Sequence, residues 1–193
     1  MVHTSIWHGM YFNPMTALSS WLHMPALMLY VILTAIPLYV ANAAAMIFGG
    51  KTPMDFGIHW GDGLPLLGKG KTWKGSGMGI LLGTFAGLLV WYFFRAWTME
   101  LTPNYLAYAF LLSIGAILGD MVGSFAKRRM HMERGKPAPL LDQLDFVVGG
   151  LVLGLPFVAP ELIQVLVLVL ITPIVHSLAN RVAFVLKLKS VPW

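Results

Sequence analysis

Long stretches without a charged residue constrain this chain more than any other feature. No Lys, Arg, Asp or Glu precedes Lys51, and further uncharged gaps cover 75–94, 101–119, 146–160 and 162–180. The hydrocarbon core of a bilayer, about 30 Å thick, needs about 20 apolar helical residues. We therefore predict an all-α polytopic membrane protein with about five transmembrane helices, the first over 25–48. The fourth gap is marginal in length, and a re-entrant or partly buried helix is its alternative.

The composition excludes the soluble classes of protein. The chain of 193 residues is 58% hydrophobic and only 11% charged, whereas a soluble domain carries about 25% charged residues. The net charge of +5 would suggest nucleic acid in a soluble protein. Here the basic residues lie in short loops between apolar runs, so topology and anionic ligands explain them better and no nucleic-acid partner is expected. We find no internal boundary and treat 1–193 as a single membrane domain.

The first 24 residues have a different character from the spans. Aromatic residues such as Trp7, Tyr11 and Trp21 alternate with histidine, asparagine and serine. This mixture is typical of a helix that lies in the membrane interface. We expect an interfacial segment over 1–24 and a helix start at Pro25, where the missing N–H needs no partner. A sixth span is the competing interpretation, which Asn13-Pro14 weakens.

The basic residues predict the orientation of the spans. Five alternating spans place the 49–75 loop, the 126–145 loop and the C-terminal tail on one side of the membrane. These segments hold nearly all the lysines and arginines, whereas Arg95 stands alone on the other side. The positive-inside rule therefore puts both loops and the C-terminus in the cytoplasm and the N-terminus outside.

Glycines recur every four residues along three of the predicted spans. They are Gly75, Gly79, Gly83 and Gly87, then Gly115, Gly119 and Gly123, then Gly150 and Gly154. Small residues at this spacing allow two helix backbones to approach closely. We expect these stripes to pack helices within one chain, and a homodimer seam is the alternative.

Loop one, residues 49–75, has the composition of an anion-binding loop. Lys69, Lys71 and Lys74 alternate with glycines just before the second span, whose positive dipole end points the same way. A P-loop is rejected, because Gly70 stands where Ser or Thr must follow the lysine and no strand precedes the motif. The loop therefore suits polyphosphate binding, and a topogenic basic loop is the alternative.

The second loop, residues 126–145, is flanked by carboxylates. Asp120 ends an otherwise apolar helix, and on that helix Ser124, Lys127 and Arg128 share its face. Asp142 and Asp145, three residues apart, begin the next span. If these spans form a hairpin, three carboxylates converge, which suits Mg²⁺ with an anionic substrate. The alternatives are helix N-terminal acids, positive-inside anchors and a structural ion pair.

His176, Asn180 and Arg181 lie near the end of the fifth span at helical spacing. They could line a polar cavity, and helix-end snorkelling is an equal alternative.

The second loop resembles the signature of membrane cytidylyltransferases that act on phosphatidate. That signature has a serine, then Lys-Arg, a later basic residue and two aspartates three apart. This chain matches it with Ser124, Lys127, Arg128, Lys136, Asp142 and Asp145, preceded by Asp120. The spacing is shorter, and PAPLL at 137–141 replaces a Pro-Gly-His-Gly-Gly stretch. Those departures, with ANA at 41–43, TPMDFG at 52–57 and GKGKTWKG at 68–75, resemble the archaeal branch, the CDP-archaeol synthases.

The resemblance implies a Mg²⁺-dependent nucleotidyltransferase of phospholipid biosynthesis in the cell membrane. CTP and the isoprenoid ether lipid 2,3-bis-O-(geranylgeranyl)-sn-glycerol 1-phosphate would give CDP-archaeol and pyrophosphate at the cytoplasmic side. On this resemblance we expect metal binding by Asp120, Asp142 and Asp145. CTP phosphates are assigned to Lys69, Lys71, Thr72 and Lys74. Phosphates or the lipid head are assigned to Ser124, Lys127, Arg128 and Lys136, and cytidine to Asn42, Thr52, Asp55 and Asp62.

A transporter or divalent-cation channel is the alternative function. It would explain acidic residues in kinked spans. It also predicts inverted repeats and acids near the membrane midplane, and the sequence has neither.

The orientation can be tested with single cysteines, because the chain has no native cysteine. Cysteines at Gly70 and Met132 should react with an impermeant reagent only from the cytoplasmic side. A cysteine at Met99 should react only from outside. Labelling of positions 70 and 132 from opposite sides would contradict the predicted topology.

Overall fold

The described part of the chain folds into six helices and forms no strand. The computed structural model describes 14–132, 136, 138 and 140–187, with side chains from Ala26 onward. Two isolated bridges, Pro53–Thr72 and His59–Pro65, lie in loop one. The all-α prediction is confirmed. The helices are α1 (Pro14–Ile47), α2 (Trp73–Phe93), α3 (Arg95–Leu101), α4 (Tyr105–Arg129), α5 (Leu141–Gly154) and α6 (Leu162–Val185).

Among the described residues, four helical segments are long and apolar enough to cross a membrane. They are Ala26–Ile47 of α1 together with α2, α4 and α6. Their outer faces expose large apolar side chains, for example Leu81 on α2 and Leu170 on α6. Exposed aromatic side chains mark both ends of α2, with Trp73 at its start and Tyr92 at its end, as at membrane–water interfaces. The chain is therefore a multi-pass membrane protein.

The predicted fourth span is a shorter helix. α5 has 14 residues, so it is about 21 Å long at 1.5 Å per residue. It packs antiparallel to α4, since Asp145 near its start lies against Gly123 and Gly154 at its end lies against Tyr108. α5 thus follows most of the length of α4. The full count of five crossings stays a prediction.

The predicted helix start at Pro25 is wrong. Helix α1 begins at Pro14 and continues through Pro25 without a break. Pro14 takes the first helical position, where a proline loses no hydrogen bond, and the residue before a proline disfavours helical geometry. Residues 14–24 are therefore continuous with the first span as one helix, whereas the segment apolar enough to cross a membrane begins at Ala26. The interfacial position of this part of the chain stays a prediction. The rest of that predicted segment, 1–13, lies outside the described residues.

The glycine stripe of α2 packs inside the chain. A Cβ on Gly79 would collide with Ile117 of α4 and the Ala41 carbonyl of α1, and one on Gly83 would collide with the Pro37 carbonyl. The close approach of these helices therefore depends on glycine. The intrachain prediction is confirmed, and a homodimer seam built from this stripe is excluded because its glycines are already covered.

Helices α4 and α5 make the tightest contact in the bundle. Gly115 and Gly119 on α4 meet Gly149 and Gly150 on α5, backbone against backbone. On the other side of Gly150 lies Leu38 of α1, which is fully buried. At this distance no side chain fits between α4 and α5. Van der Waals contact between the two backbones therefore fixes the relative position of the helices.

Two buried tyrosines of α4 bond to α1 through their hydroxyl groups. The Tyr105 hydroxyl donates to the Leu33 carbonyl (2.7 Å), and the hydroxyls of Thr34 and Tyr108 are 3.0 Å apart. Buried hydroxyls without partners would be costly in a bilayer. These bonds join α1 to α4 at the end of the bundle opposite loop one.

We expect Gly115→Ala to destabilise the bundle. Its Cβ would collide with the backbone of Gly149 and Gly150, and overpacking of this kind costs about 1–3 kcal/mol. Gly77→Ala is the matched control, because a Cβ there meets nothing within 4 Å. Thermal unfolding in detergent should show a lower midpoint for Gly115→Ala alone. Equal midpoints for the two variants would contradict the close-contact model.

Candidate active site

Asp55 organises loop one from within. The side chain is only 5% exposed. Its Oδ1 accepts the Gly57 N–H (3.0 Å), and its Oδ2 accepts the N–H groups of Leu67 and Gly68 (both 2.9 Å). One carboxylate thus joins the two halves of the loop. A contact with cytidine, as expected from the sequence, would be made by a carboxylate that already accepts three hydrogen bonds from the loop.

Two opposing effects set the pKa of Asp55. Burial alone would raise it, but the backbone N–H groups of Gly68, Leu67 and Gly57 stabilise the charged form and hold the pKa below its usual value. Asp55 is therefore ionised at any physiological pH, which the loop requires because three donors point at it.

Thr72 closes loop one at the start of α2. Its hydroxyl oxygen accepts the N–H of Gly75 (3.2 Å) as a helix N-cap and the N–H of Gly50 (2.9 Å) from the other end of the loop. This satisfies one of the free N–H groups of the first turn. Thr72, which the sequence predicts to bind phosphate, therefore also joins the two ends of loop one.

Two ion pairs bring the predicted loops together. Lys71 of loop one pairs with Asp120 of α4, and Lys127 of α4 pairs with Asp142 of α5. All four side chains are partly exposed. The predicted convergence of loop one, the end of α4 and the start of α5 is confirmed. Asp120 and Asp142 each have a lysine partner, which limits the repulsion between the acidic side chains.

Asp145 has an acceptor oxygen that is shielded from solvent. Its Oδ1 accepts the N–H of Phe146 (2.6 Å). No donor from the described part of the chain reaches Oδ2, which packs against Gly123. Asp120 is near enough to repel this carboxylate, and Lys71 is near enough to attract it. An acceptor without a partner in such a place is costly unless a cation or donor binds there.

The carboxylates fit a small metal site better than a three-acid one. Across the described residues, no group of three or more His, Asp or Glu side chains could share an ion. Asp142 is engaged with Lys127 and with the Ala138 N–H (2.9 Å). Asp120 has Lys71 as its partner, and Asp145 lies against Gly119, the residue that precedes Asp120 on α4. Because Mg²⁺ commonly takes one or two carboxylates plus substrate phosphates and water, this donor set fits that ion.

An opening at this end of the bundle, cavity one, lies between α1, α4 and α6. Its volume is about 450 Å³. Its apolar wall includes Ile117, Phe146, Val175 and Ala179. Eight of the predicted site residues also line it: Asn42, Lys71, Thr72, Asp120, Lys127, Arg128, Lys136 and Asp142.

A second opening, cavity two, lies between loop one and the end of α4. Its volume is about 400 Å³. The predicted residues that line it are Asp55, Lys69, Lys71, Ser124, Lys127 and Arg128. Lys71, Lys127 and Arg128 therefore line both cavities. These three cations stand where the two spaces adjoin.

Four predicted residues line neither cavity. Thr52 contributes its carbonyl to the Trp73 N–H (3.2 Å), and Lys74 packs against Gly50 at the start of loop one. Asp62 accepts a hydrogen bond from Arg129 (2.8 Å). Asp145 is set back from cavity one, although Asp142 and Phe146 on either side of it line that cavity.

The α6 wall of cavity one carries a polar pair that the sequence only suggested. The Asn180 amide lies 3.2 Å from His176 Nδ1, and the His176 ring lies 6.3 Å from that of Phe146. Both polar side chains line cavity one. The cavity interpretation is thus confirmed over helix-end snorkelling for these two residues.

The contact between Arg129 and Asp62 was not predicted. The sequence shows only that Arg129 is charged, and it does not show which residue its side chain reaches.

Comparisons with known proteins identify relatives that match most of the chain. A family model described as CDP-archaeol synthase, CarS-like, matches residues 24–193. The chain is 48% identical over 165 residues to a CDP-archaeol synthase of Methanocaldococcus jannaschii, covering 82% of this chain and 93% of that one. It is 43% identical over 158 residues to one of Pyrococcus abyssi, with coverages of 82% and 94%.

A solved structure has a similar fold. It is described as an intramembrane enzyme for archaeal membrane lipids biosynthesis. The TM-score is 0.70 at 36% identity, and the match covers 77% of this chain and 91% of that chain. The family match at 24–193 includes every residue of both cavities.

We expect Asp55→Asn to loosen loop one. An amide can accept at only one of its two ends, so some of the three N–H donors lose their partner. Amide exchange over 55–68 should become faster at pH 7, whereas Glu100→Gln in α3 should leave it unchanged.

The pH dependence of the same loop follows from the lowered pKa. Stabilisation by Asp55 is complete above the usual aspartate pKa of about 3.9 and is lost as the pH falls through the lower folded value. Loop exchange in Asp55→Asn should lack this acid transition. An identical acid transition in parent and variant would contradict the assignment to Asp55.

Proposed function

This chain belongs to the CDP-archaeol synthase family, and we propose that it transfers the cytidylyl group of CTP to the phosphate of an isoprenoid ether lipid. With 2,3-bis-O-(geranylgeranyl)-sn-glycerol 1-phosphate the products are CDP-archaeol and pyrophosphate. A phosphate oxygen of the lipid attacks the α-phosphorus of CTP. The bond from that phosphorus to the oxygen bridging the β-phosphorus breaks, and pyrophosphate leaves with the electron pair.

One observation supports the proposal above all: three basic side chains lie between two cavities, each with a volume large enough for a substrate. Lys71, Lys127 and Arg128 line both cavity one and cavity two. A transfer between two phosphate-bearing substrates requires that both phosphates reach one point. It also requires positive charge there, because negative charge accumulates in the transition state. The shared wall meets both requirements.

Cavity one suits the lipid phosphate. Its α6 wall contains Val175 and Ala179, and the rest of α6 exposes apolar side chains to the bilayer. A lipid could therefore place its chains along α6 and its phosphate near Lys71. His176 and Asn180 lie on the same wall and supply hydrogen-bonding groups for the glycerol head.

Cavity two suits the triphosphate of CTP. Lys69 and Ser124 line it with the Gly68 backbone. A short glycine-rich turn next to ammonium groups is favourable for phosphate oxygens. Lys74 lines neither cavity, so its predicted contact with CTP phosphates is the least supported of the set.

Asp120 and Asp145 are the residues that would hold Mg²⁺. The ion, when bound, neutralises phosphate charge and polarises the α-phosphorus. Asp120 lines cavity one and pairs with Lys71, so it also orients that ammonium group. Asp145 offers the oxygen that no described donor satisfies. The carboxylates need not act as a strong base, because the lipid phosphate is already ionised near neutral pH.

The site is proposed to face the cytoplasm, where CTP is made. Loop one, the end of α4 and the start of α5 share one end of the bundle. Loop one and the end of α4 hold seven of the 13 lysines and arginines of the chain, and the positive-inside rule assigns such an end to the cytoplasm. The competing transporter or cation-channel hypothesis receives no support from the relatives.

Conservative acid-to-amide changes test the metal assignment. Asp120→Asn and Asp145→Asn keep the shape and remove a ligand charge. Each should lower turnover by about 10²-fold or more, a loss of about 2.7 kcal/mol or more in transition-state stabilisation. Glu100→Gln, at the opposite end of the bundle, is the matched control and should retain parental turnover.

The metal itself is tested in the same assay. EDTA should abolish lipid product, Mg²⁺ should restore it, and Ca²⁺ should restore it poorly because its coordination shell is larger and looser. Near-parental turnover in both aspartate variants would refute the metal assignment. Full activity in EDTA would refute the requirement for a divalent ion.

A further inference from the structure

Arg129, the last residue of α4, reaches across to the tip of loop one. Its Nη1 donates to Asp62 Oδ1 (2.8 Å), and its Nη2 donates to the Pro65 carbonyl (2.7 Å). The guanidinium therefore contacts two points of the loop at once. A planar fork with several donors can make such a double contact, and a lysine ammonium cannot reproduce its geometry.

The part of loop one that Arg129 contacts is a compact hairpin, residues 58–66. Backbone bonds join Trp60 N–H to the Leu64 carbonyl (2.8 Å) and Leu66 N–H to the Ile58 carbonyl (2.9 Å). Asp62 also accepts the Leu64 N–H at its tip (3.0 Å). Because the hairpin bonds to itself, a contact at its tip positions the hairpin as a unit.

An aromatic contact supports the same junction. Phe125 lies one turn before Arg129 on α4, and the guanidinium carbon is 5.0 Å from the centre of its ring. The Trp60 ring of the hairpin meets Phe125 edge-on at 5.5 Å. Cation–π and edge-to-face contacts of this kind are each favourable. The hairpin thus contacts α4 through a charged, a polar and an aromatic interaction.

The junction lies at the edge of cavity two. His59 and Pro65 of the hairpin form one wall, and Ser124, Lys127 and Arg128 of α4 form the other. The distance between these walls therefore depends on how the hairpin sits against α4. Arg129 itself does not line the cavity, so it acts on a bound ligand only through the hairpin.

We infer that Arg129 is a positioning residue that holds hairpin 58–66 against α4, through Asp62 and Pro65, and so sets the width of cavity two for the nucleotide. The inference rests on the proposed function, in which cavity two takes CTP. It gives Asp62 a structural role in place of the contact with cytidine expected from the sequence.

The test compares Arg129→Lys, Arg129→Ala and Asp62→Asn with the parent enzyme in detergent. The KM for CTP should rise by on the order of tenfold, a size common for directly contacting charged partners. The kcat and the KM for the lipid phosphate should stay within about twofold of the parent. Arg129→Lys should recover little of the loss, because it keeps the charge and loses the fork.

Arg95→Lys is the matched control. That arginine also stacks on an aromatic ring, with its guanidinium carbon 4.7 Å from the centre of Trp91, but it lies at the opposite end of the bundle. It should leave both KM values unchanged.

A second measurement needs no substrate. Amide exchange over 58–66 should be faster in all three variants and unchanged in Arg95→Lys. Unchanged exchange, or faster exchange with a parental KM for CTP, would overturn the inference. If the parent protein transferred nothing from CTP, the proposed function would fail, and exchange over 58–66 would still decide whether Arg129 holds the hairpin.

Discussion

The backbone contact between α4 and α5 is the constraint on which the site depends. Glycines at 115, 119, 149 and 150 remove the side chains that would separate the two helices. The same contact continues to Gly123, where the missing side chain leaves room for the Asp145 carboxylate. Asp145 thereby lies against Gly119 and Gly123 of α4, beside the turn that carries Asp120. The packing of α4 against α5 therefore also determines where the acidic groups lie.

Electrostatics at this end of the bundle follow from that packing. Acids held on two adjoining helices would repel one another, and Lys71 and Lys127 offset the repulsion by pairing with Asp120 and Asp142. Those lysines also line both cavities. The cations that offset this repulsion are therefore already in place to bind phosphate. Partly exposed pairs contribute little to folding, so their location fits a role in binding better than one in stability.

The sequence predicted the elements that depend on composition and period. Uncharged gaps located the long helices, glycine spacing predicted intrachain packing, and the Lys–Gly loop predicted a basic site next to acids. The predicted helix start at Pro25 is wrong. The N–H group that this proline lacks does not interrupt a helix whose residues are apolar on both sides of the proline. The roles of Asp55, Asp62 and Arg129 depend on bonds across loop one and between loop one and α4. Residues far apart in the chain give no periodic signal of such contacts.

The proposed reaction transfers the α-phosphorus of CTP to lipid at the junction of the two cavities. Purified protein in detergent, given Mg²⁺ and an isoprenoid ether lipid phosphate, should move label from the α-phosphate of CTP into the lipid fraction. Label in the γ-phosphate should appear only in pyrophosphate. Lipid labelled from the γ-phosphate, or no labelled lipid from either position, would contradict the account.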